Sequence, residues 1–288
     1  MKLQVPFQQV DVFSNIPFKG NPVAVVLDGN DLSSDEMQSI ANWTNLSETT
    51  FVCKPTDSQA DYKLRIFTPN NELPFAGHPT LGSAFAVLKN GLKPKISGRL
   101  VQESGIGFVT IVSEGDKLFF TLPESNVRSI DHVDVNDLAN ALGVDSNNVK
   151  ASLIIDIGAV WMTLQLSDEE MVRRLKPDME KLTALTPADV TGVTVFGRTS
   201  TNTDTLFEVR SFAPSEGVPE DPVCGSGNGC VATMVRQLQL ISDSSYIASQ
   251  GYCVGRDGRV EIRYQENGDI LLGGHAVTCV EGQINIGE

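Results

Sequence analysis

The chain carries one sequence pattern twice, and this duplication limits the folds open to it. Residues 65–78 and 210–226 both begin with Arg-x-Phe-x-Pro, continue through a glutamate and a second proline, and end on a glycine followed by a polar residue. The Arg-x-Phe-x-Pro segments lie 145 residues apart, whereas the closing glycines, Gly77 and Gly225, lie 148 apart. Solenoid repeats are only ~20–50 residues long, so this spacing predicts two domains built on one plan. Because ligands commonly bind between domains, we expect the active site in the cleft between the halves.

The length of 288 residues fits two domains of ordinary size. We expect an N-terminal half over 1–125 and a C-terminal half over 126–288, with the last strand able to pack back on the first half. The glutamate of the pattern is Glu72 in the first copy, and Glu216 is its expected match in the second.

Net charge and composition exclude several classes of function. A net charge of −14 and a pI near 4.6 repel phosphate backbones, so nucleic-acid binding is not expected. No apolar run reaches the ~20 residues of a membrane-spanning helix. Five scattered cysteines favour free thiols in a reducing cytoplasm over a disulfide framework. Three histidines, with no paired metal-ligand spacing, do not predict a metal site.

Hydrophobic periodicity and turn residues predict alternating strands and helices. Strands are expected around 3–13, 22–27, 48–53, 61–68 and 97–122 in the first half, and around 158–165, 193–197, 205–212 and 250–285 in the second. Helices are expected over 32–43, 80–89, 135–141, 167–175 and 225–238. Each repeated segment, 69–79 and 214–222, is expected to be a loop that leads into a helix.

The two helix starts at Gly77 and Gly225 predict an anion-binding function. The first turn of a helix leaves backbone N–H groups unpaired and carries the positive end of the helix dipole. Carboxylates bind at such starts, and glycine lets a ligand approach the backbone closely. Many glycine-rich helix starts are only turns, but two at matching positions of a duplicated chain favour binding.

Candidate acids and bases lie close to these starts, and each has a structural alternative. His78 beside the helix dipole is expected to be a neutral imidazole, or else a capping or packing residue. Asp221 precedes the second helix and is either an acid of the site or a solvated loop carboxylate. Glu48 is either a catalytic carboxylate or an exposed strand-edge residue. Cys224 is either a thiol whose pKa is lowered by the helix start or a small buried residue.

Five blocks of this sequence, taken together, resemble the phenazine-biosynthesis PhzF-like family, and the similarity extends from residue 7 to residue 286. The blocks are Gly20–Val26, Leu46–Phe51, Arg65–Thr80, Glu220–Gly227 and Gly273–Val277.

The resemblance implies the diaminopimelate-epimerase fold, an α+β fold of two pseudo-symmetric domains, each a curved mixed sheet around a central helix. It implies a cofactor-independent isomerase that shifts a proton on a small, cyclic carboxylic acid, and a homodimer. Matching the family motifs residue by residue makes Glu48, His78, Asp221 and Ser226 the catalytic residues.

The residue types fit proton transfer at carbon. Such a reaction needs a base held against the carbon and stabilisation of the anion that forms. Burial raises the pKa of a carboxylate, so Glu48 could take a proton and return it to another carbon near neutral pH. The N–H groups of Gly77 and Gly225, with Cys224 beside them, are the expected substrate-binding elements for its carboxylate.

The chain departs from other enzymes implied by this fold. Amino-acid epimerases and proline racemases use two cysteines, one in each half, whereas the first of these positions here is Ala76 and only the second, Cys224, is a cysteine. Two alternatives to the Glu48 isomerase therefore stay open. One is an epimerase or racemase with Cys224 as one base, and the other is a carboxylate-binding protein without catalysis.

Overall fold

A computed structural model describes residues 3–200 and 203–286 of the chain. The residues form two compact units. The first contains the described residues up to Thr121 together with those from Gly273 onward, and the second runs from Leu122 to Leu272. This division is based on proximity in space. The halves 1–125 and 126–288, proposed as the two copies of the duplicated sequence, stay a prediction. Within the described ranges, no helix combines the length and apolar character that crossing a membrane requires.

The elements up to residue 121 alternate strands with two helices. They are β1 (Leu3–Val12), β2 (Asn21–Val26), α1 (Ser34–Thr44), β3 (Thr49–Cys53), β4 (Tyr62–Phe67), β5 (Glu72–Leu73), α2 (Gly77–Lys89), β6 (Arg99–Ser104), β7 (Gly107–Glu114) and β8 (Lys117–Thr121).

The elements from residue 122 onward follow a similar order. They are β9 (Asn126–Ser129), α3 (His132–Leu142), β10 (Ala151–Asp156), β11 (Val160–Gln165), α4 (Glu169–Arg174), α5 (Met179–Leu185), β12 (Gly192–Arg198), β13 (Phe207–Ala213), β14 (Val218–Asp221), α6 (Gly225–Gln237), β15 (Ser245–Gln250), β16 (Gly258–Tyr264) and β17 (Ile270–Ile286). Of these, α5, β9 and β10 were not predicted, β14 lies in a segment predicted as a loop, and β15 lies before the strands expected from residue 250.

In the first unit, the strands close around α2. β1 pairs antiparallel with β17 and β2, β2 runs parallel to β3, and β4 lies between β3 and β6. The β6–β8 meander returns to β17, which completes the ring. The helix packs against strands on several sides and is buried along most of its length. A Cβ on Gly82 would lie 2.4 Å from Val23 Cγ1, so a small residue is needed there for the helix to fit.

In the second unit, a mixed sheet packs on α6 in the same way. The strands pair in the order β9, β10, β11, β12, β13, β15 and β16, with β11 parallel to β12 and β13 parallel to β15. The predicted α+β class is therefore confirmed. The expected cleft between the halves stays a prediction.

The start of α2 lies earlier than predicted. The helix begins at Gly77 and not at Thr80, because Pro79 is tolerated in a first turn, where N–H groups have no partner within the helix. The segments predicted as loops also contain the short strands β5 and β14, each paired with the preceding strand.

The duplicated arginines form the same ion pair in each unit, and this corrects one predicted match. Arg65 donates to both carboxylate oxygens of Glu72, at 2.7 and 2.6 Å. Arg210 donates likewise to Glu220, at 2.9 and 2.8 Å, and not to Glu216. Glu216 lies instead in a short 3₁₀ turn, 214–216. The extra three residues of the second copy therefore lie before Glu220.

Candidate active site

Glu48 lies directly before β3, after the bend that follows α1. Helix α1 ends at Asn45, whose φ of 54° is left-handed and turns the chain. The Glu48 carbonyl oxygen accepts a hydrogen bond from the Ala24 backbone N–H at 3.4 Å. Strand β2 therefore fixes the backbone of Glu48, and the side chain is only 15% exposed. The alternative of an exposed strand-edge carboxylate does not hold.

His78, the second residue of α2, lies between Glu48 and Asn21. Its Nε2 atom is 3.3 Å from Glu48 Oε2, and its Nδ1 atom is 3.4 Å from the amide nitrogen of Asn21. The two ring nitrogens of His78 therefore face the Glu48 carboxylate and the Asn21 side-chain amide. We call Asn21, Glu48 and His78 the His78 cluster.

Burial in the first unit lowers the pKa of His78 to about 3. The imidazole is therefore neutral at physiological pH, and its 3.3 Å contact with Glu48 is not an ion pair. The neutral form agrees with the sequence-based expectation, but desolvation causes it, whereas the prediction relied on the helix dipole.

The second set of candidate residues lies at the start of α6. Cys224 is the N-cap residue, and its Sγ accepts a hydrogen bond from the Gly227 N–H at 3.2 Å. Ser226 Oγ lies 3.5 Å from that sulfur and accepts a hydrogen bond from Trp161 Nε1 at 3.0 Å. We call Asp221, Cys224, Ser226 and Trp161 the Ser226 cluster.

Gln250 holds the turn between β14 and α6 in place. Its Nε2 donates to the Asp221 carbonyl at 3.0 Å. Its Oε1 accepts from the Cys224 N–H at 3.1 Å and from the Asn228 amide at 2.7 Å. Because Gln250 is buried, these three bonds fix the backbone that carries Asp221 and Cys224.

Burial raises the pKa values of two groups in the Ser226 cluster. The Asp221 carboxyl has a pKa of about 6, although part of the residue remains exposed, because the surrounding protein disfavours its charged form. Burial also raises the pKa of the Cys224 thiol well above its ordinary value. The prediction that the helix start lowers the pKa of Cys224 is therefore wrong, since desolvation outweighs the helix dipole.

The two helix starts differ in how they are capped. Within the described residues, Ala76 gives α2 no side-chain cap, whereas the Cys224 sulfur caps α6. The backbone of α2 at Gly77 is accordingly the better placed of the two to hold an anion. The anion-binding roles of Gly77 and Gly225 stay predictions.

The two units also differ at the position of Glu48. In the first unit, Thr49 of β3 faces Phe67 of β4. In the second, Val193 of β12 faces Phe212 of β13. The residue before Val193 is Gly192, so a glycine takes the place that corresponds to Glu48. Only the first unit therefore has a carboxylate at this point of the strand.

Three residues in or beside the two clusters were not among the predicted site residues: Asn21, Trp161 and Gln250. Asn21 lies in the block Gly20–Val26, and Trp161 lies on β11, which corresponds to the strand expected around 158–165. Both strands were therefore predicted. The individual contacts depend on folding, as they join residues far apart in the chain.

The α+β fold carries buried acid–base groups at two helix starts, an arrangement that indicates an enzyme site. The model of the phenazine biosynthesis-like family matches residues 10–282, and the chain belongs to this PhzF family. Relatives over nearly the whole length are named isomerases, which makes the chain an enzyme of the isomerase class.

Two relatives and one solved structure illustrate the similarity. The chain is 42% identical over 291 residues to Antisense-enhancing sequence 1 of Schizosaccharomyces pombe, covering 96% of this chain and 97% of the relative. It is 31% identical over 282 residues to trans-2,3-dihydro-3-hydroxyanthranilate isomerase of Pseudomonas aeruginosa, covering 95% and 97%. A PhzF-family crystal structure from Bacillus anthracis superimposes with a TM-score of 0.87 at 23% identity, covering 99% of this chain and all of that one, and it supports the fold.

Proposed function

We propose that this enzyme is a cofactor-independent isomerase in which Glu48 shifts a proton on a small, cyclic carboxylic acid. The observation that carries the proposal is the 3.3 Å contact between Glu48 Oε2 and His78 Nε2. A largely buried carboxylate beside a neutral imidazole is suited to receive a proton and to give it back.

The proposed reaction conserves all atoms. The Glu48 carboxylate takes a proton from one carbon of the substrate, and the electron pair of that C–H bond spreads into the adjacent unsaturated system. The carboxylic acid then returns the same proton to another carbon at the end of that system, which moves the double bond. A single base is enough, because the proton leaves and returns on the same face of the substrate.

His78 contributes by staying neutral. An imidazolium would form an ion pair with Glu48 and make the carboxylate a weaker base. A neutral imidazole 3.3 Å from Glu48 Oε2 does not lower the basicity of the carboxylate with a positive charge. The low pKa of His78, about 3, keeps this arrangement across the physiological range.

The Ser226 cluster supplies the other proposed roles. Asp221, with a pKa of about 6, can hold or release a proton close to neutral pH. Ser226 can donate a hydrogen bond to a substrate oxygen. The helix-start N–H groups of Gly77 and Gly225 would bind the substrate carboxylate.

The substrate class is proposed from the named relatives. The Pseudomonas aeruginosa relative is named for trans-2,3-dihydro-3-hydroxyanthranilate, a cyclic carboxylic acid. For this chain we propose a cyclic carboxylate with a carbon acid next to a double bond. The homodimer, the cytoplasmic location and the absence of nucleic-acid and membrane partners stay predictions.

The test follows hydrogen exchange at carbon. Small cyclic carboxylic acids are incubated with the enzyme in heavy water, and deuterium incorporation is read by mass spectrometry. General acid–base groups contribute ~10²–10⁴-fold to rate, so Glu48→Gln is expected to lose at least about 100-fold of the exchange. The matched control, Glu124→Gln, changes an exposed glutamate and should exchange like the unsubstituted enzyme. Full exchange by Glu48→Gln would refute the role of Glu48.

The alternative of an epimerase with Cys224 as a base has less support, because burial keeps this thiol protonated. Cys224→Ala separates the two mechanisms. We expect this variant to retain exchange within about tenfold of the unsubstituted enzyme. A Cys224-dependent epimerase would instead lose ~10²–10⁴-fold, as expected when a catalytic base is removed. A binding protein without catalysis would show carboxylate binding and no exchange in any variant.

A further inference from the structure

We infer that Trp161 is a positioning residue that fixes the direction in which Ser226 donates its proton, and thereby selects ligands that offer a carboxylate oxygen. The inference rests on the proposed function, because it gives Ser226 a ligand. It concerns the second unit alone, where both residues lie.

The contact between the two side chains has only one possible direction. An indole N–H donates and cannot accept, so at 3.0 Å Trp161 Nε1 donates to Ser226 Oγ. That bond occupies one lone pair of the hydroxyl oxygen. Trp161 is 2% exposed, and its place on β11, between β10 and β12, holds the indole in one orientation.

A second neighbour of the Ser226 hydroxyl is Cys224 Sγ, at 3.5 Å, and either atom can be the donor of this contact. The same sulfur already accepts the Gly227 N–H at 3.2 Å. With one lone pair engaged by Trp161, the Ser226 hydroxyl proton points away from the indole. A ligand with acceptor oxygens, such as a carboxylate, can receive this proton. An ammonium group only donates, so it would need a lone pair of Ser226 Oγ on the side that faces the protein.

Replacing Trp161 should therefore affect binding more than chemistry. Trp161→Phe keeps an aromatic ring and removes the N–H. One hydrogen bond of ordinary strength corresponds to ~2–10-fold in affinity. We expect Kd for anthranilate, measured by titration calorimetry, to rise by about this factor. In turnover assays KM should rise while kcat stays within about twofold.

A double-mutant cycle distinguishes positioning from packing. In a Ser226→Ala background, Trp161→Phe should change the Kd for anthranilate no further, because the group it orients is gone. All binding measurements are made in the Glu48→Gln background, so they do not depend on whether Glu48 is the base. Aniline, which lacks the carboxylate, serves as the matched ligand and should show no dependence on Trp161.

A second readout uses the two tryptophans of the chain. Anthranilate should shift the indole ¹H–¹⁵N signal of Trp161, and not that of the exposed Trp43, and Ser226→Ala should abolish this shift. If Trp161→Phe does not fold, benzothienylalanine at this position keeps the shape of tryptophan and replaces its N–H by sulfur. Three results would each overturn the inference. The first is an equal loss of anthranilate affinity on changing Trp161 with and without Ser226. The others are an unchanged Kd in Trp161→Phe or in the benzothienylalanine form, and no anthranilate binding to the Glu48→Gln protein.

Discussion

A Cβ atom added to Gly192 would lie 2.1 Å from the carbonyl oxygen of Phe212. The backbones of β12 and β13 therefore approach too closely at this point for any side chain. Because Gly192 corresponds to Glu48 by strand register, the second unit has no room for a second carboxylate. The asymmetry of the two units is thus set by backbone packing as well as by residue choice.

Gly192→Ala is predicted to destabilise the protein by about 1–3 kcal/mol or more, as overpacking against backbone does. Gly282→Ala is the matched control, since a Cβ there meets no atom within 4 Å. Urea denaturation of both variants gives the comparison. An equal urea midpoint for the two variants would show that β12 and β13 move apart at Gly192 without a loss of folding free energy.

The duplicated arginine pairs predict unequal stability effects. The Arg210 and Glu220 side chains are 6% and 11% exposed, whereas those of Arg65 and Glu72 are 23% and 42% exposed. Removing one partner of a buried pair leaves an uncompensated charge and costs about 3–5 kcal/mol. Exposed pairs contribute only ~0–1 kcal/mol.

Glu220→Gln should therefore lower the free energy of unfolding by several kcal/mol, and Glu72→Gln by less than about 1 kcal/mol. The internal repeat makes each variant the control of the other. Both are measured by denaturant titration. Similar losses from the two substitutions would mean that burial does not decide the contribution of this pair.

The duplication allowed the sequence to predict the parts of the fold that repeat. Both central helices and both strands that carry arginine were expected close to where they lie. The sequence also pointed to Glu48, His78, Asp221 and Ser226 through family resemblance, and the structure brings Glu48 and His78 into contact.

Properties that depend on burial and on long-range contacts were not predictable. Cys224 lies next to a helix start, which suggested a low pKa, but its desolvation becomes apparent only in the folded protein. Gln250 is 26 residues from Cys224 in sequence and still fixes its backbone. No local pattern marks such a residue, because the partner comes from the end of β15, which follows α6 in the chain.

His78 is predicted to remain neutral well below the ordinary histidine range, since its pKa is about 3. Its ring proton signals in NMR should not titrate between pH 8 and about 5. A histidine with a lowered pKa stabilises the fold above its unfolded pKa of ~6.5, and this stability is lost as pH falls toward the folded value. The contribution of His78 to stability should therefore decline as pH decreases from neutral.

Asn21→Asp should reverse the behaviour of His78. A carboxylate beside Nδ1 favours the imidazolium, so the pKa of His78 should rise and its titration should enter the range above pH 5. The control is Asn285→Asp, at an exposed asparagine, which should leave the His78 signals unchanged. Persistent neutrality of His78 in Asn21→Asp would argue against the contact between the amide and Nδ1.

Asp221 is predicted to destabilise the folded protein when it ionises. Its folded pKa, about 6, is raised above the ordinary aspartate value of 3.8, so its favourable contribution is present below the unfolded value and is lost as pH rises through about 6. Asp221→Asn removes the charge, and its Oδ1 can still accept the Val223 N–H that now bonds to Asp221 at 3.0 Å.

The variant should therefore be more stable than the unsubstituted protein at pH 8, by up to about 3 kcal/mol, and the gain should disappear near pH 4. Thermal unfolding across this pH range provides the measurement. If Asp221 also takes part in the reaction, the same variant loses turnover while it gains stability, as expected where a buried charge is kept for function. A stability gain that does not depend on pH would show that something other than ionisation of Asp221 is responsible.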